Sequence, residues 1–144
     1  MKAEENDRDL AGISRHMTRK GLAGKLGMKL VSVSPGYALV EMVPGEEDTN
    51  IFGTVHGGVV FALLDEAFQV SCNSHGTVAV ALNVNVTYHR PAVAGRRLRA
   101  ESREIHITKR TATYEIRVHD EEGLLIASSH ALAYRKGERL PFLA

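Results

Sequence analysis

From Gly58 to Asn73 the chain reads GVVFALLDEAFQVSCN, apolar on almost every face and too long for one strand. Such a segment is a buried helix, and the remaining residues must supply the layer that covers it. Ser74-His75-Gly76 closes the run, with Gly76 suited to the C-cap.

The covering layer is written in period two. LGMKLVSVS and YALVEMV alternate apolar and polar residues around the Pro35-Gly36 turn, which predicts a hairpin. Residues 77–89 place Val78, Val80, Leu82, Val84, Val86 and Tyr88 on one face of a single strand. Further strands are expected at 96–108, 111–119 and 124–135, divided by Lys109-Arg110 and by Glu121-Glu122-Gly123. The expectation is an α+β domain: about six antiparallel strands curved around the one hydrophobic helix. Over 4–20, Leu10, Ile13 and Met17 form a narrow apolar stripe on a charged segment, an amphipathic helix expected to sit outside the sheet. The chain reads as one domain over 1–144, with an N-terminal helical segment at 1–22 and a tail at 136–144.

Charge and cysteine content exclude several classes of function. Eighteen Lys and Arg against 17 Asp and Glu leave a formal charge of +1, so no global basic field favours nucleic acid. The single Cys72 has no partner for a disulfide or a CxxC metal site, which fits a reducing cytoplasm. The N-terminus lacks the apolar stretch of a signal peptide, and no window reaches a membrane-spanning length, so a soluble cytoplasmic protein is expected. The seven histidines form no HExxH pattern, and Ser71 and Ser74 lie in no G-x-S-x-G elbow; neither a metal nor a serine triad is expected.

Two features carry chemistry. Asp65-Glu66 is a pair of charges within the apolar helix, and the neighbours of Asp65 one turn away are Phe61, Ala62, Phe68 and Gln69. Apolar surroundings raise a carboxylate's pKa and suit it to base or nucleophile work. At the start of the same helix, His56-Gly57-Gly58 follows a loop containing Asn50, Gly53 and Thr54, where open N–H groups and the helix dipole favour a developing oxyanion. Gly57 and Asp65 are eight residues apart, roughly 12 Å along a helix. One helix cannot bring both to one carbonyl carbon, where reacting groups lie within about 3–3.5 Å. If both act on one substrate, they come from two subunits related by a twofold axis.

The spaced pattern Asn50-x2-Gly53-Thr54-x-His56-Gly57-Gly58-x6-Asp65-x2-Phe68, then Cys72-Asn73-Ser74, Tyr88-x-Arg90-Pro91 and Lys109 to Tyr114, resembles the hotdog-fold thioesterases of the phenylacetyl-CoA (PaaI-like) type over about residues 20–135. The resemblance implies hydrolysis of an aryl- or short- to medium-chain acyl-CoA without metal or bound cofactor, coenzyme A being part of the substrate. It further implies homodimers that pair into tetramers. By the same resemblance Asp65 activates water or attacks the thioester, the Gly57 N–H polarises the carbonyl, Asn50 holds the nucleophile or water, and His56 assists. Gly58, Phe68, Arg90, Pro91, Lys109, Arg110 and Thr111 are candidates for substrate contact, the cations among them for the phosphates of coenzyme A. The chain departs from the pattern at Glu66, where a small Ser or Thr is common, and at Gln69, where Ala is common; both bear on acyl specificity. An acyl-thioester hydratase or dehydratase, and a non-catalytic acyl-CoA-binding protein, are the competing readings.

Overall fold

The computed structural model describes residues 1–143. In chain order the elements are α1 (Lys2–His16), α2 (Gly21–Lys25), β1 (Lys29–Ser34), β2 (Tyr37–Met42), α3 (Gly57–Asn73), β3 (Thr77–Val84), β4 (Thr87–Tyr88), β5 (Leu98–Ile107), β6 (Thr111–Asp120) and β7 (Leu125–Arg139). The sheet runs β1-β2-β5-β6-β7-β3, with β4 on β7, and every pair is antiparallel.

Turn chemistry sets this order. Gly36 takes φ +74° between β1 and β2, a left-handed value that glycine adopts without strain. At the β6–β7 corner, Asp120 Oδ1 accepts the N–H groups of Glu122 and Leu124 at 3.0 and 2.9 Å, an Asx-type turn. Between β5 and β6, Thr108 and Thr111 close a tight hairpin over Lys109-Arg110.

The sheet curls around α3. Val60, Leu63, Leu64, Ala67 and Phe68 recur at helical spacing and are buried against Val40, Met42, Leu98, Ile116, Val118 and Ile126. Each such aliphatic side chain contributes about 1.5–3 kcal/mol through burial. Phe68 meets Tyr114 edge to face, with ring centroids 5.4 Å apart. The helix end is tied to β3 by Asn73, whose Oδ1 accepts the Ala79 N–H at 2.9 Å and whose Nδ2 donates to the Ala79 carbonyl at 3.1 Å.

Four expectations need correction. The strand expected over 77–89 breaks after Val84 and resumes as the two-residue β4, so the sheet has seven strands rather than six. Its apolar face does not cover α3 uniformly: of β3 only Ala79 is buried, and Val80 and Leu82 stand at 44% and 58% exposure. β7 continues through 136–139, into the segment expected as a tail. The N-terminal helix does not simply lie outside. Ile13 is fully buried with Val70, Ala38 and Leu140, and Arg139 donates to Asp9 Oδ1 at 2.7 Å and Oδ2 at 3.2 Å. Among the described residues no helix is long and apolar enough to cross a membrane.

Candidate active site

The N-terminus of α3 is organised by His56. Its Nδ1 accepts the Gly58 N–H at 2.8 Å, and its carbonyl accepts the Val59 and Val60 N–H groups at 2.9 and 3.2 Å. A helix leaves its first N–H groups without intrahelical partners, and here the one left over is Gly57: among the described residues its N–H has no acceptor. The Gly57 carbonyl is held by the Tyr88 hydroxyl at 2.8 Å, which fixes the peptide from the other side. A Cβ on Gly57 would lie 3.3 Å from the Tyr88 ring, so the close approach favours glycine.

Asn50 shapes the loop that leads to this point. Its Oδ1 accepts the N–H groups of Phe52 at 2.9 Å and Thr54 at 3.2 Å, and its Nδ2 donates to Thr54 Oγ1 at 3.0 Å. Asn50, Gly57, Tyr88, Arg90 and Pro91 line one cavity of about 390 Å³. The structure therefore brings together four residues named from sequence, and Tyr88 joins them as a support whose contact with Gly57, 31 residues away, has no signature in local periodicity.

Asp65 lies two turns further along α3. It is half-buried and has no hydrogen bond or ion pair among the described residues. Burial alone pushes its pKa above the ordinary aspartate value. Two cavities meet at its carboxylate. One, of about 360 Å³, is walled by the 16–28 segment and also by Glu66. The other, of about 350 Å³, is lined mainly by apolar residues: Phe68, Cys72, Ala79, Val80, Leu140 and Phe142. Glu66 is half-buried and accepts the Thr18 hydroxyl at 3.0 Å. Its pKa is raised, chiefly by burial and secondarily by the charge of Asp65, against the Thr18 bond.

The remaining sequence candidates lie elsewhere. Gly58 is exposed, with its N–H engaged by His56. Phe68 is 1% exposed and packs in the core while reaching the apolar cavity. Lys109, Arg110 and Thr111 belong to the β5–β6 turn and line neither the Gly57 cavity nor those at Asp65. Thr111 Oγ1 pairs with Thr108 Oγ1 at 3.0 Å, and Arg110 reaches the Tyr134 hydroxyl at 3.4 Å.

A curled antiparallel sheet wrapped around one central helix is the hotdog architecture. The sequence model of the thioesterase superfamily matches residues 52–127, and the chain belongs to that superfamily. It is 39% identical over 116 residues to a putative esterase of Archaeoglobus fulgidus, covering 81% of this chain and 75% of that one. To the acyl-coenzyme A thioesterase PaaI of Escherichia coli it is 33% identical over 115 residues, 80% of this chain and 82% of the other. The structure of E. coli PaaI, from the phenylacetic acid degradation operon, superposes with a TM-score of 0.86 at 28% identity, covering 94% and 96% of the two chains. A mutant form of the phenylacetic acid degradation protein PaaI from Thermus thermophilus gives 0.75 at 38% identity over 78% and 96%.

Proposed function

We propose that this protein hydrolyses an acyl-CoA thioester to the free acid and CoA, with Asp65 as general base or nucleophile and the Gly57 N–H of a second subunit as the carbonyl's donor. The observation that carries this reading is the isolation of Asp65: a half-buried carboxylate with no partner among the described residues, raised by burial, between two cavities each large enough for part of a substrate. A paired structural carboxylate has no such freedom to accept a proton or attack a carbon.

An amide and a carboxylate roughly 12 Å apart on one helix cannot converge. A second copy docked along β3 supports the convergence. Val80 and Leu82 expose apolar surface on that edge strand, and Ala79, Val80 and Ala81 of the same strand line the apolar cavity at Asp65. Antiparallel packing of two α3 helices then carries each Gly57 toward the other subunit's Asp65 and makes two equivalent sites.

Within one site, water or the Asp65 oxygen attacks the thioester carbon, charge develops on the carbonyl oxygen, and the open Gly57 N–H meets it at a helix N-terminus where the dipole favours anions. Arg90, at the mouth of the Gly57 cavity, is the cation best placed for a CoA phosphate. The largely apolar lining beside Asp65 suits an aryl or short- to medium-chain acyl group. A reducing compartment suits the lone, buried Cys72.

Asp65→Asn keeps the shape of the side chain and removes the base. Release of CoA-SH from a panel of aryl, short- and medium-chain acyl-CoAs, followed with a thiol reagent, should fall by at least about a hundredfold, with the circular dichroism spectrum unchanged. Near-normal turnover of every accepted acyl-CoA by the variant removes Asp65 from the reaction. Consumption of an unsaturated acyl-CoA without thiol release identifies a hydratase instead.

A further inference from the structure

Thr18 is the one non-glycine residue among those described with a positive φ, +64°. For a β-branched residue this is a strained conformation, and strain of this kind persists where the surroundings hold it for a purpose. Thr18 is 8% exposed, lies in the linker between α1 and α2, and spends its hydroxyl on Glu66 Oε1 at 3.0 Å, 48 residues away. Glu66 follows Asp65 directly on α3, and both carboxylates line the cavity that the linker walls. A glycine at position 18 relieves the backbone but has no hydroxyl to give.

We propose that Thr18 and Glu66 are a positioning pair for the reaction: their bond fixes the 17–23 segment as the cavity wall beside Asp65 and holds a second carboxylate next to the first. The proposal rests on Asp65 being the reacting carboxylate. Glu66 reaches no reacting atom; it acts by anchoring the wall beside Asp65. The titratable and charged groups that face the pair are His16 from the end of α1, Lys20 from the linker and Asp65 from α3; Ala23, Met28 and Phe142 close the rest with apolar surface. His16 is committed to the Gly12 carbonyl at 2.9 Å and stacks on Phe142 at 4.9 Å.

The experiment is the pH profile of kcat/KM for the full chain and for Glu66→Gln, Thr18→Gly and Thr18→Ser. Glu66→Gln keeps an oxygen that accepts the Thr18 hydroxyl and should leave the acid limb in place, since burial alone raises Asp65; a shifted limb means that Glu66 acts by charge and overturns the anchoring role. Thr18→Gly should leave the melting temperature within about 2 °C of the parent while lowering kcat/KM about tenfold, and Thr18→Ser should recover it to within about twofold. A structural role alone moves melting temperature and activity together; that result, or equal activity in Thr18→Gly and Thr18→Ser, overturns the proposal. If Glu66→Gln does not fold, the two Thr18 variants decide. An active Asp65→Asn enzyme in the same assay means that the reading of Asp65 has failed, whereas an inactive one with Thr18→Gly as active as Thr18→Ser sinks the pair alone.

Discussion

The Gly58 N–H donates to His56 Nδ1 at 2.8 Å, and this one bond determines which amide at the head of α3 stays open. With Gly58 capped and Val59 and Val60 directed at the His56 carbonyl, only the Gly57 N–H is left for a ligand. His56 is therefore first a helix cap, with its accepting nitrogen unprotonated and the other ring nitrogen carrying the hydrogen. His56→Ala should lower stability by about 1 kcal/mol, read by urea denaturation, and His56→Asn, which can cap in the same way, should recover most of it. An unchanged midpoint for His56→Ala means that the cap contributes nothing.

Cys72 should be silent to thiol reagents. It is 3% exposed, and burial pushes its pKa up to about 12, with the Asp65 charge a lesser cause in the same direction. Native protein should take up no label at pH 8 over the time of an assay and one equivalent after denaturation, since the chain has a single cysteine. Rapid labelling of the native state contradicts the buried placement.

Asp65 carries a stability cost that depends on pH. Its folded pKa is raised by burial, so between the unfolded and folded values the native state holds a proton that the unfolded chain releases. The cost is absent below the ordinary aspartate pKa of about 3.9, grows as pH rises through the folded value, and is fully present above it. Asp65→Asn should melt higher than the parent near neutral pH, and the difference should vanish in acid. A variant that melts lower at every pH shows that the carboxylate stabilises the fold.

The edge of β3 gives a test of assembly. Leu82 is 58% exposed in the isolated chain, where a charge is harmless. If a second copy covers it, Leu82→Arg should yield a protein of monomer mass in sedimentation and lose thioester hydrolysis together with the partner. Full activity in a monomer separates catalysis from assembly.

Much of this architecture is written locally, and the remainder is not. The α3 run announces itself because Leu63, Leu64, Ala67 and Phe68 are apolar at helical spacing, and the eight residues from Gly57 to Asp65 already set the length problem that the proposed second subunit answers. The hairpin turns are legible from Pro35-Gly36 and from Glu121-Glu122-Gly123. The exposure of Val80 and Leu82 is not, because alternation predicts one covered face, whereas Val80, Ala81, Leu82 and Asn83 are all exposed on this edge strand. The Thr18–Glu66 bond and the Tyr88–Gly57 bond span 48 and 31 residues, distances over which periodicity is silent. Asn50 is visible as a candidate from the family pattern; the occupation of its Oδ1 by its own loop is not.

The central claim, that Asp65 of one chain works with Gly57 of another, has a direct test in mixed assemblies. Gly57 is the first residue of α3, where proline is tolerated, and His56 has the extended ψ of 134° that a following proline favours. Gly57→Pro thus removes the N–H and leaves the helix its start; its added Cβ meets the Tyr88 ring at 3.3 Å, which must give by a few tenths of an ångström, so the variant is used only with a parental circular dichroism spectrum. Asp65→Asn and Gly57→Pro should each be inactive alone. Refolded together in equal amounts, they should recover about a quarter of parental thioesterase activity, because half the dimers are mixed and each mixed dimer rebuilds one of two sites. Recovery at that level is the predicted result; no recovery, with mixed dimers demonstrated by mass, would contradict the shared site.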